Sequence, residues 1–280
     1  MPEDIEPKND EQRSTGAHSV KKKTPLWRKV LYVLLALCII GVICGCAYML
    51  LITKQINDAA NTDNVVPATP EPTEDPEPAK VDNPIDFASL QASNADICGW
   101  VYVPGTNVNH VVACRPDDDT YYLSHDTDGN YFAPGTVFME ASVNSSDFSD
   151  SVTILYGHNS SNDAMFSSLH WFQDSEFFNE NQYIYVYTPG HIYTYTIVSA
   201  FTTDNLHLMV KYDFFDAADE VQNFESFIVD PGSISQNVRQ GLEMDENSKL
   251  IVLSTCNTGA TSEYGRYLVC GVMTSDQLTN

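Results

Sequence analysis

Basic side chains are scarce in this sequence of 280 residues, which has 14 lysines and arginines against 38 aspartates and glutamates. The net charge is −24 at pH 7, and from residue 80 onward 6 basic side chains stand against 27 acidic ones. A surface of this charge repels a phosphate backbone, so nucleic acid is excluded as a partner. The acidity favours solubility, with steering of a cationic substrate as the alternative.

Recognisable metal-binding and disulfide patterns are also missing. The seven cysteines are an odd number, none of them is spaced C-x-x-C, and no cysteine–histidine cluster has zinc-ligand spacing. There is no H-E-x-x-H string, which places a metal-dependent enzyme last among the candidates. We therefore predict no metal, no cofactor, no disulfide framework and at least one free thiol.

A long apolar run near the N-terminus predicts a membrane anchor. Residues 31–52, LYVLLALCIIGVICGCAYMLLI, are 22 uncharged residues, enough to cross a bilayer as a helix. Five basic residues closely precede the run, namely Lys21, Lys22, Lys23, Arg28 and Lys29, and Lys54 alone follows it closely. Because positive flanks stay in the cytoplasm, we predict a cytoplasmic tail at 1–30, a single-pass helix at 31–53 and an extracellular C-terminal part. A cleaved, secreted form is the alternative.

The segment after the run has the composition of a linker. Residues 54–82 include PATPEPTEDPEPAK, where proline and acidic residues dominate and apolar residues are sparse. Such a segment cannot bury enough surface to fold, and proline favours extended conformations. We predict a disordered linker at 54–82, acting as a stalk or as a tail without a spacing role, followed by one domain at 83–280.

The pattern within this domain predicts a mainly β fold. Short β-branched and apolar runs are separated by turn signals such as Pro104-Gly105 and Pro189-Gly190, and no internal repeat is visible. About eight short strands favour a closed barrel over an alternating βαβ sheet. The predicted strands are 99–103, 107–113, 135–140, 151–157, 182–188, 191–201, 249–255 and 266–273. Helices are predicted at 83–94, 163–172 and 216–229.

Two residues of potential chemical use follow apolar strands directly. Cys256 ends the run KLIVLSTC, and His158 follows ILYG, so each lies where a strand gives way to a loop. An accessible thiol can act as a nucleophile, and a histidine can donate a proton to a leaving amine. The alternatives are a buried cysteine packed as a small hydrophobe and a histidine on a surface loop. His170 and His191 look structural.

A third residue completes a catalytic hypothesis. Arg266 opens the last predicted strand, ten residues after Cys256, where its guanidinium could lie beside the thiol. A fixed cation lowers the pKa of a thiol and stabilises a developing oxyanion. An exposed charge at a strand end is the alternative. Three strand ends that converge at one edge of a barrel would mount Cys256, His158 and Arg266 for nucleophilic catalysis.

With these motifs in order, the chain resembles the sortase family, and class B sortases in particular. The strings ILYGHNS…MF and LSTC…R carry the resemblance, together with GW-V-VPGT-V---VV, the later YYL and a predicted helix before the last two strands. It covers about residues 84–275. Two features depart from the class: His110 stands where proline is common, and Cys98, Cys114 and Cys270 are extra thiols.

The resemblance implies a fold, a reaction and partners. Members have an eight-stranded β-barrel with peripheral helices and use a cysteine, a histidine and an arginine, which match Cys256, His158 and Arg266. They cleave an N-P-x-T-like sorting signal of surface proteins after threonine, hold the acyl group as a thioester, and transfer it to an amine of a cell-wall precursor. In some relatives the product is a pilus.

The resemblance also implies a substrate groove. Leu123 and Ser254 match motif residues, and Thr255 lies beside the nucleophile. The other residues assigned to the groove are Met209 and Val210, in the loop before the predicted helix, and Asp119 as a supporting polar group.

Rival functions stay open at this point. A cysteine peptidase would use the same residues with water as acceptor, and an inert adhesin or receptor on a stalk would not use them. A reactive thiol that forms a thioester with a sorting peptide separates the enzyme from the adhesin.

Overall fold

The computed structural model describes residues 26–60, 80–205, 207–212, 214, 218–257 and 265–280. The chain divides into two compact units, Met1–Met49 and Leu50–Asn280. The described part of the first unit is helical and belongs to α1, Leu26–Ala60. Within α1, Trp27–Asp58 is long and apolar enough to cross a membrane.

The predicted membrane span at 31–53 lies inside α1. The helix continues to Ala60, so the first residues of the predicted linker are helical. The rest of that linker up to residue 79, and the predicted tail up to residue 25, lie outside the described residues.

Nine strands occur in the described part of the second unit. They are β1 Ile97–Tyr102, β2 Asn109–Arg115, β3 Val137–Glu140, β4 Val152–Tyr156, β5 Tyr183–Thr188, β6 His191–Thr203, β7 Gln236–Val238, β8 Leu250–Cys256 and β9 Arg266–Leu278.

Eight of these strands close into a barrel. The order is β5-β1-β2-β3-β4-β8-β9-β6, and β6 pairs back onto β5, while β7 pairs with β6 outside the ring. The pairs β2–β3 and β4–β8 are parallel and the other neighbours are antiparallel. The structure therefore confirms the predicted eight-stranded barrel, and β7 is a short strand that the sequence analysis missed.

The β5–β6 hairpin shows how local sequence sets the register. Thr188 pairs with His191, so Pro189 and Gly190 form a two-residue turn. Gly190 has a φ of +96°, which residues with a Cβ rarely adopt. The predicted hairpin is confirmed.

The central strand β8 is buried on both faces. Ile251 and Leu253 belong to the cluster inside the barrel. Val252 belongs to a second cluster, which includes Phe224 and Ile228 of α5, Ala218–Val229. Burial on both faces explains why the sequence leading to Cys256 is continuously apolar and does not alternate.

The peripheral helices differ in detail from the sequence expectations. The helix predicted at 83–94 is shorter, α2 Phe87–Ser93, because the Asp86 side chain accepts from Ser89 N and caps it. The segment predicted at 163–172 is not one helix but two 3₁₀ helices, Ser161–Asp163 and Ser167–Gln173. The remaining helices are the 3₁₀ helix Tyr121–Leu123, α3 Ser175–Glu180 and α4 Leu208–Lys211.

Candidate active site

Cys256 and Arg266 face each other at the end of one strand pair. Cys256 is the last residue of β8 and Arg266 the first of β9, and the two are antiparallel partners. The Nη1 atom of Arg266 lies 3.7 Å from Sγ of Cys256. The thiol is exposed. The structure therefore places a permanent cation beside an accessible sulfur.

His158 lies at the same end of the barrel. Strands β4 and β8 are parallel, and Tyr156 pairs with Ser254. His158 and Cys256 each lie two residues beyond that pair, so the paths of the strands carry both to one rim. The parallel register is the physical reason that residues 98 positions apart in the sequence approach each other.

The backbone at Gly157 allows a close approach before His158. A Cβ at this position would lie 2.6 Å from the ring of Phe166. The amide of Phe166 donates to the carbonyl of His158 at 3.1 Å, so Phe166 packs under this loop. Glycine at 157 therefore makes room for an aromatic ring that supports the histidine.

The imidazole of His158 is bonded to a backbone carbonyl. Its Nε2 atom lies 2.7 Å from the carbonyl oxygen of Leu123. Because a carbonyl only accepts, this nitrogen carries a proton. The same ring atom can donate to a leaving group that takes the place of the carbonyl.

Two further side chains hold the carbonyl of Cys256. Nδ2 of Asn159 and Nε2 of His170 each lie 3.0 Å from that oxygen and donate to it. Gln173 Nε2 lies 3.1 Å from Nδ1 of His170, and the His170 ring stacks on Tyr267 with centroids 4.6 Å apart. Burial lowers the pKa of His170, so its neutral form is favoured. The two donors fix the backbone that carries the thiol.

A second polar cluster lies behind Arg266. The Tyr156 hydroxyl donates to Glu140 Oε2 at 3.1 Å, and Nε2 of His207 lies 2.9 Å from the same oxygen. Burial raises the pKa of Tyr156, and the negative charge of Glu140 adds to the effect. His207 immediately precedes α4, so this cluster ties that helix to β3 and β4.

Three of the predicted groove residues lie close to the site but differ in exposure. Leu123 supplies the carbonyl bound by His158, and its side chain is 41% exposed. Ser254 is buried and lines a small cavity of about 40 Å³ with Tyr156 and Arg266. Thr255 is fully buried, and its hydroxyl has no hydrogen-bond partner among the described residues. In this structure the Thr255 side chain is not open to a substrate.

The other three predicted groove residues lie on α4 and in the turn before the 3₁₀ helix Tyr121–Leu123. Val210 lies on α4 and is 73% exposed. The backbone of Met209 is part of α4, whereas its side chain lies outside the described residues. Asp119 accepts hydrogen bonds from the backbone and hydroxyl of Ser142. The described contacts of Asp119 are thus with a neighbouring loop.

The residues that support the nucleophile lack a sequence motif of their own. Asn159 directly follows His158, where the sequence predicts a loop, and the position of His170 on an apolar predicted helix indicates a structural role. The available signal is that His170 is a polar residue with a ring that can donate a hydrogen bond, placed on an otherwise largely apolar segment. Glu140 and His207 carried no local signal, because they meet only through the fold.

Among the described residues, no group of three or more histidine, cysteine, aspartate or glutamate side chains could hold a metal ion. Cys256, His158 and Arg266 can together perform nucleophilic attack by a thiol, assisted by an imidazole and a guanidinium.

Comparisons with known proteins identify relatives of the whole domain. A family model described as "Sortase domain" matches residues 101–274. Sortase B of Listeria monocytogenes is 26% identical over 193 residues, which cover 66% of this chain and 73% of that protein. Sortase B of Staphylococcus aureus is 24% identical over 184 residues, covering 65% and 72%.

Solved structures share the fold. The crystal structure of Clostridium perfringens sortase B has a TM-score of 0.60 at 26% identity and covers 68% of this chain and 100% of that one. A Streptococcus pyogenes class B sortase involved in pilus biogenesis has a TM-score of 0.57 at 25% identity and covers 68% and 98%.

Proposed function

Since the chain belongs to the sortase family, whose members are cysteine transpeptidases, we propose that it is a class B sortase with Cys256 as nucleophile. In this proposal His158 is the acid/base and Arg266 stabilises the oxyanion. The observation that carries the proposal is the register of β8 and β9, which sets a guanidinium 3.7 Å from an exposed thiol.

The first half-reaction uses all three residues. The Cys256 thiolate attacks the carbonyl carbon of the threonine in an N-P-x-T-like sorting signal, and the carbonyl π electrons move to oxygen. Arg266 stabilises that negative charge. Substrate displaces the Leu123 carbonyl from His158. The carbonyl then reforms, the C–N bond breaks, and the imidazolium form of His158 gives its Nε2 proton to the leaving amine and becomes neutral. The product is a thioester on Cys256.

The second half-reaction transfers the acyl group. An amine of a cell-wall precursor attacks the thioester carbon, His158 takes a proton from it, and the C–S bond breaks to regenerate the thiolate. The groove proposed for the sorting signal is bounded by Leu123, Ser254 and the exposed Val210 of α4. Met209, Thr255 and Asp119 are proposed to support it.

We propose that α1 anchors this domain in the membrane with the catalytic part outside. The length and composition of Trp27–Asp58 support this placement, as does the excess of basic residues before the run. Protease treatment of intact cells tests it: the domain should be digested while a tag at the N-terminus is protected. Digestion of the tag together with protection of the domain would reverse the orientation.

A peptide library cleaved by the purified chain tests the reaction. Products are identified by mass spectrometry with and without an added amine nucleophile. We expect cleavage after threonine and an amide product when the amine is present. Cys256→Ala should reduce both cleavage and transfer to background, and Cys270→Ser is the matched control with a buried thiol. Acid product alone in the presence of the amine would indicate a peptidase.

Pilus assembly is a second candidate, favoured by the similarity to the Streptococcus pyogenes enzyme involved in pilus biogenesis. The two functions differ in the acceptor, since joining one surface protein to another requires an amine of a protein in place of an amine of a cell-wall precursor. Competition between a lysine-bearing protein and a cell-wall amine distinguishes them.

A further inference from the structure

Cys98 and Cys114 lie on neighbouring strands and on the same face of the barrel wall. Ile97 of β1 pairs with Ala113 of β2, and each cysteine is the next residue in its strand. In a regular antiparallel pair these positions are diagonal neighbours on one face of the sheet. The proposed active-site chemistry uses neither thiol.

The pairing of the two strands is irregular at Cys98. The register of β1 and β2 shifts between Ile97 and Gly99, so Cys98 is the extra residue. Bulges increase local twist and re-aim a side chain. The thiol of Cys98 donates to the carbonyl oxygen of Val112 at 3.5 Å. A side-chain interaction between Cys98 and Cys114 shifts the pKa of both thiols, so the two side chains lie within interaction range of each other.

The pair can be reached from a large cavity. Both cysteines line a space of about 1150 Å³, together with Asp96 and Lys249. Lys249 precedes the start of β8, whereas Cys256 ends that strand, so the cavity lies at the opposite end of the barrel from the nucleophile. The thiols are only 6% and 7% exposed, which suits a small reagent better than a protein.

The two thiols are not equivalent. The side-chain interaction with Cys98 lowers the pKa of Cys114, although burial and the nearby carboxylates of Asp96, Asp119 and Asp150 act in the opposite direction. The same interaction raises the pKa of Cys98, and burial adds to that effect. These directions favour Cys114 as the attacking sulfur and leave Cys98 as the resolving one.

We propose that Cys98 and Cys114 are a modification site, a dithiol that forms an intrachain disulfide on reaction with a small disulfide such as oxidised glutathione. The Cys114 thiolate attacks one sulfur of the reagent, its S–S bond breaks, and one glutathione thiolate leaves. Cys98 then loses its proton and attacks Cys114 in the mixed disulfide, which releases the second glutathione. The two cysteines are oxidised and one glutathione disulfide is reduced to two thiols.

This chemistry is independent of the proposed transpeptidation, because neither thiol contacts Cys256, His158 or Arg266 among the described contacts. Its occurrence in the cell rests on the proposed extracellular placement, where disulfides persist. Cross-linking β1 to β2 should restrict the unfolded chain and so stabilise the barrel.

The test uses the full chain in detergent micelles. The reduced protein is treated with oxidised glutathione, quenched with acid, alkylated and digested, and the peptides are mapped by mass spectrometry. We expect a cross-linked pair of peptides joining Cys98 to Cys114, lighter by two hydrogen atoms than the free peptides. Cys270→Ser, which removes a fully buried thiol outside the cavity, should form the same link.

Two comparisons make the result decisive. Cys98→Ser lacks the resolving thiol, so we expect a stable glutathione adduct on Cys114. For the wild-type chain, which needs no variant to fold, the oxidised form should melt several degrees higher than the reduced form, and dithiothreitol should reverse the shift. Free thiols at both positions after treatment, or a lasting glutathione adduct on wild-type Cys114, would overturn the proposal.

Discussion

At the scale of single residues, the site depends on one cation at a fixed distance from one sulfur. Arg266 reaches Cys256 because they are the paired ends of β8 and β9. A guanidinium presents several donors in a rigid plane, whereas a lysine ammonium is a flexible point charge. The identity of the cation should therefore matter as much as its charge.

Arg266→Lys should lower kcat/KM for peptide cleavage by about 100-fold, the usual effect of losing one donor to an oxyanion. Steady-state kinetics with a sorting peptide measure it. Arg115→Lys is the matched control, because Arg115 forms an ion pair with Asp96 at 3.4 Å and has no described contact with Cys256. The activity of this variant should stay within about two-fold of the wild type. Turnover of Arg266→Lys equal to the wild type would remove Arg266 from the mechanism.

His170→Phe should slow turnover without weakening substrate binding. The phenyl ring can still stack on Tyr267, but the donor to the Cys256 carbonyl is lost. We expect kcat to fall by about 10-fold, the value of one hydrogen bond, with KM unchanged. The rate of Cys256 alkylation by iodoacetamide at fixed pH should also change, because the backbone that carries the thiol loses a hydrogen bond.

His191→Phe is the control for this histidine. His191 also stacks on a tyrosine, Tyr193, with centroids 5.2 Å apart, but it pairs with Leu278 at the other end of β9. Its kcat and alkylation rate should match the wild type. Equal effects of the two substitutions would show that the loss of any stacked histidine is responsible.

At the scale of elements, the placement of α4 depends on a polar cluster and not on a long apolar face. The helix has four residues, too few to be stable alone. His207, at its start, contacts Glu140 of β3 and Tyr156 of β4. Loosening this cluster should therefore move a wall of the proposed groove and leave the thiol in place.

Tyr156→Phe removes only the hydroxyl that bonds to both Glu140 and His207, which also contact each other directly. We expect KM for the sorting peptide to rise several-fold while kcat changes less, because the nucleophile and its cation stay paired. Initial rates over a range of peptide concentrations separate the two parameters. Tyr183→Phe, on an exposed tyrosine of β5, should leave both unchanged. A fall in kcat alone would place Tyr156 in the chemical step.

The elements also show what a sequence can predict. The strand leading to Cys256 was visible because burial on both faces makes it continuously apolar, and the β5–β6 hairpin was visible because its turn needs glycine. The contacts of Asn159 and His170 with Cys256 span 97 and 86 positions. No local periodicity encodes such contacts, and the three-residue strand β7 is too short to show a pattern. The apolar pattern at 163–172 predicts a helix but does not show that the segment forms two 3₁₀ helices.

At the scale of the whole molecule, a buried histidine links stability to pH. His110 on β2 is 6% exposed, and Nε2 has no hydrogen-bond partner among the described residues. Burial lowers its pKa from 6.5 to about 4. The unfolded chain therefore binds the proton more tightly, so stability is full above pH 6.5 and is lost as the pH falls towards 4.

His110→Leu should reduce the acid sensitivity of the barrel. Because the pKa of His110 is lower in the folded chain than in the unfolded chain, we expect protonation of this histidine to cost the wild type about 2 kcal/mol of unfolding free energy between pH 7 and pH 5. Urea unfolding at the two pH values measures the loss in both proteins, and the carboxylates common to both cancel in the comparison. The same loss in His110→Leu and the wild type would assign the acid sensitivity to other groups.

Capture of the acyl intermediate on the full chain tests the central claim most directly. A sorting peptide is mixed with the enzyme, the reaction is stopped with acid, and the mass of the protein and of its digest is measured. The account predicts an adduct with the mass of the N-terminal peptide fragment on Cys256, released by hydroxylamine and not detected in Cys256→Ala. Cleavage that proceeds with Cys256 free, or with the adduct on another residue, would contradict it.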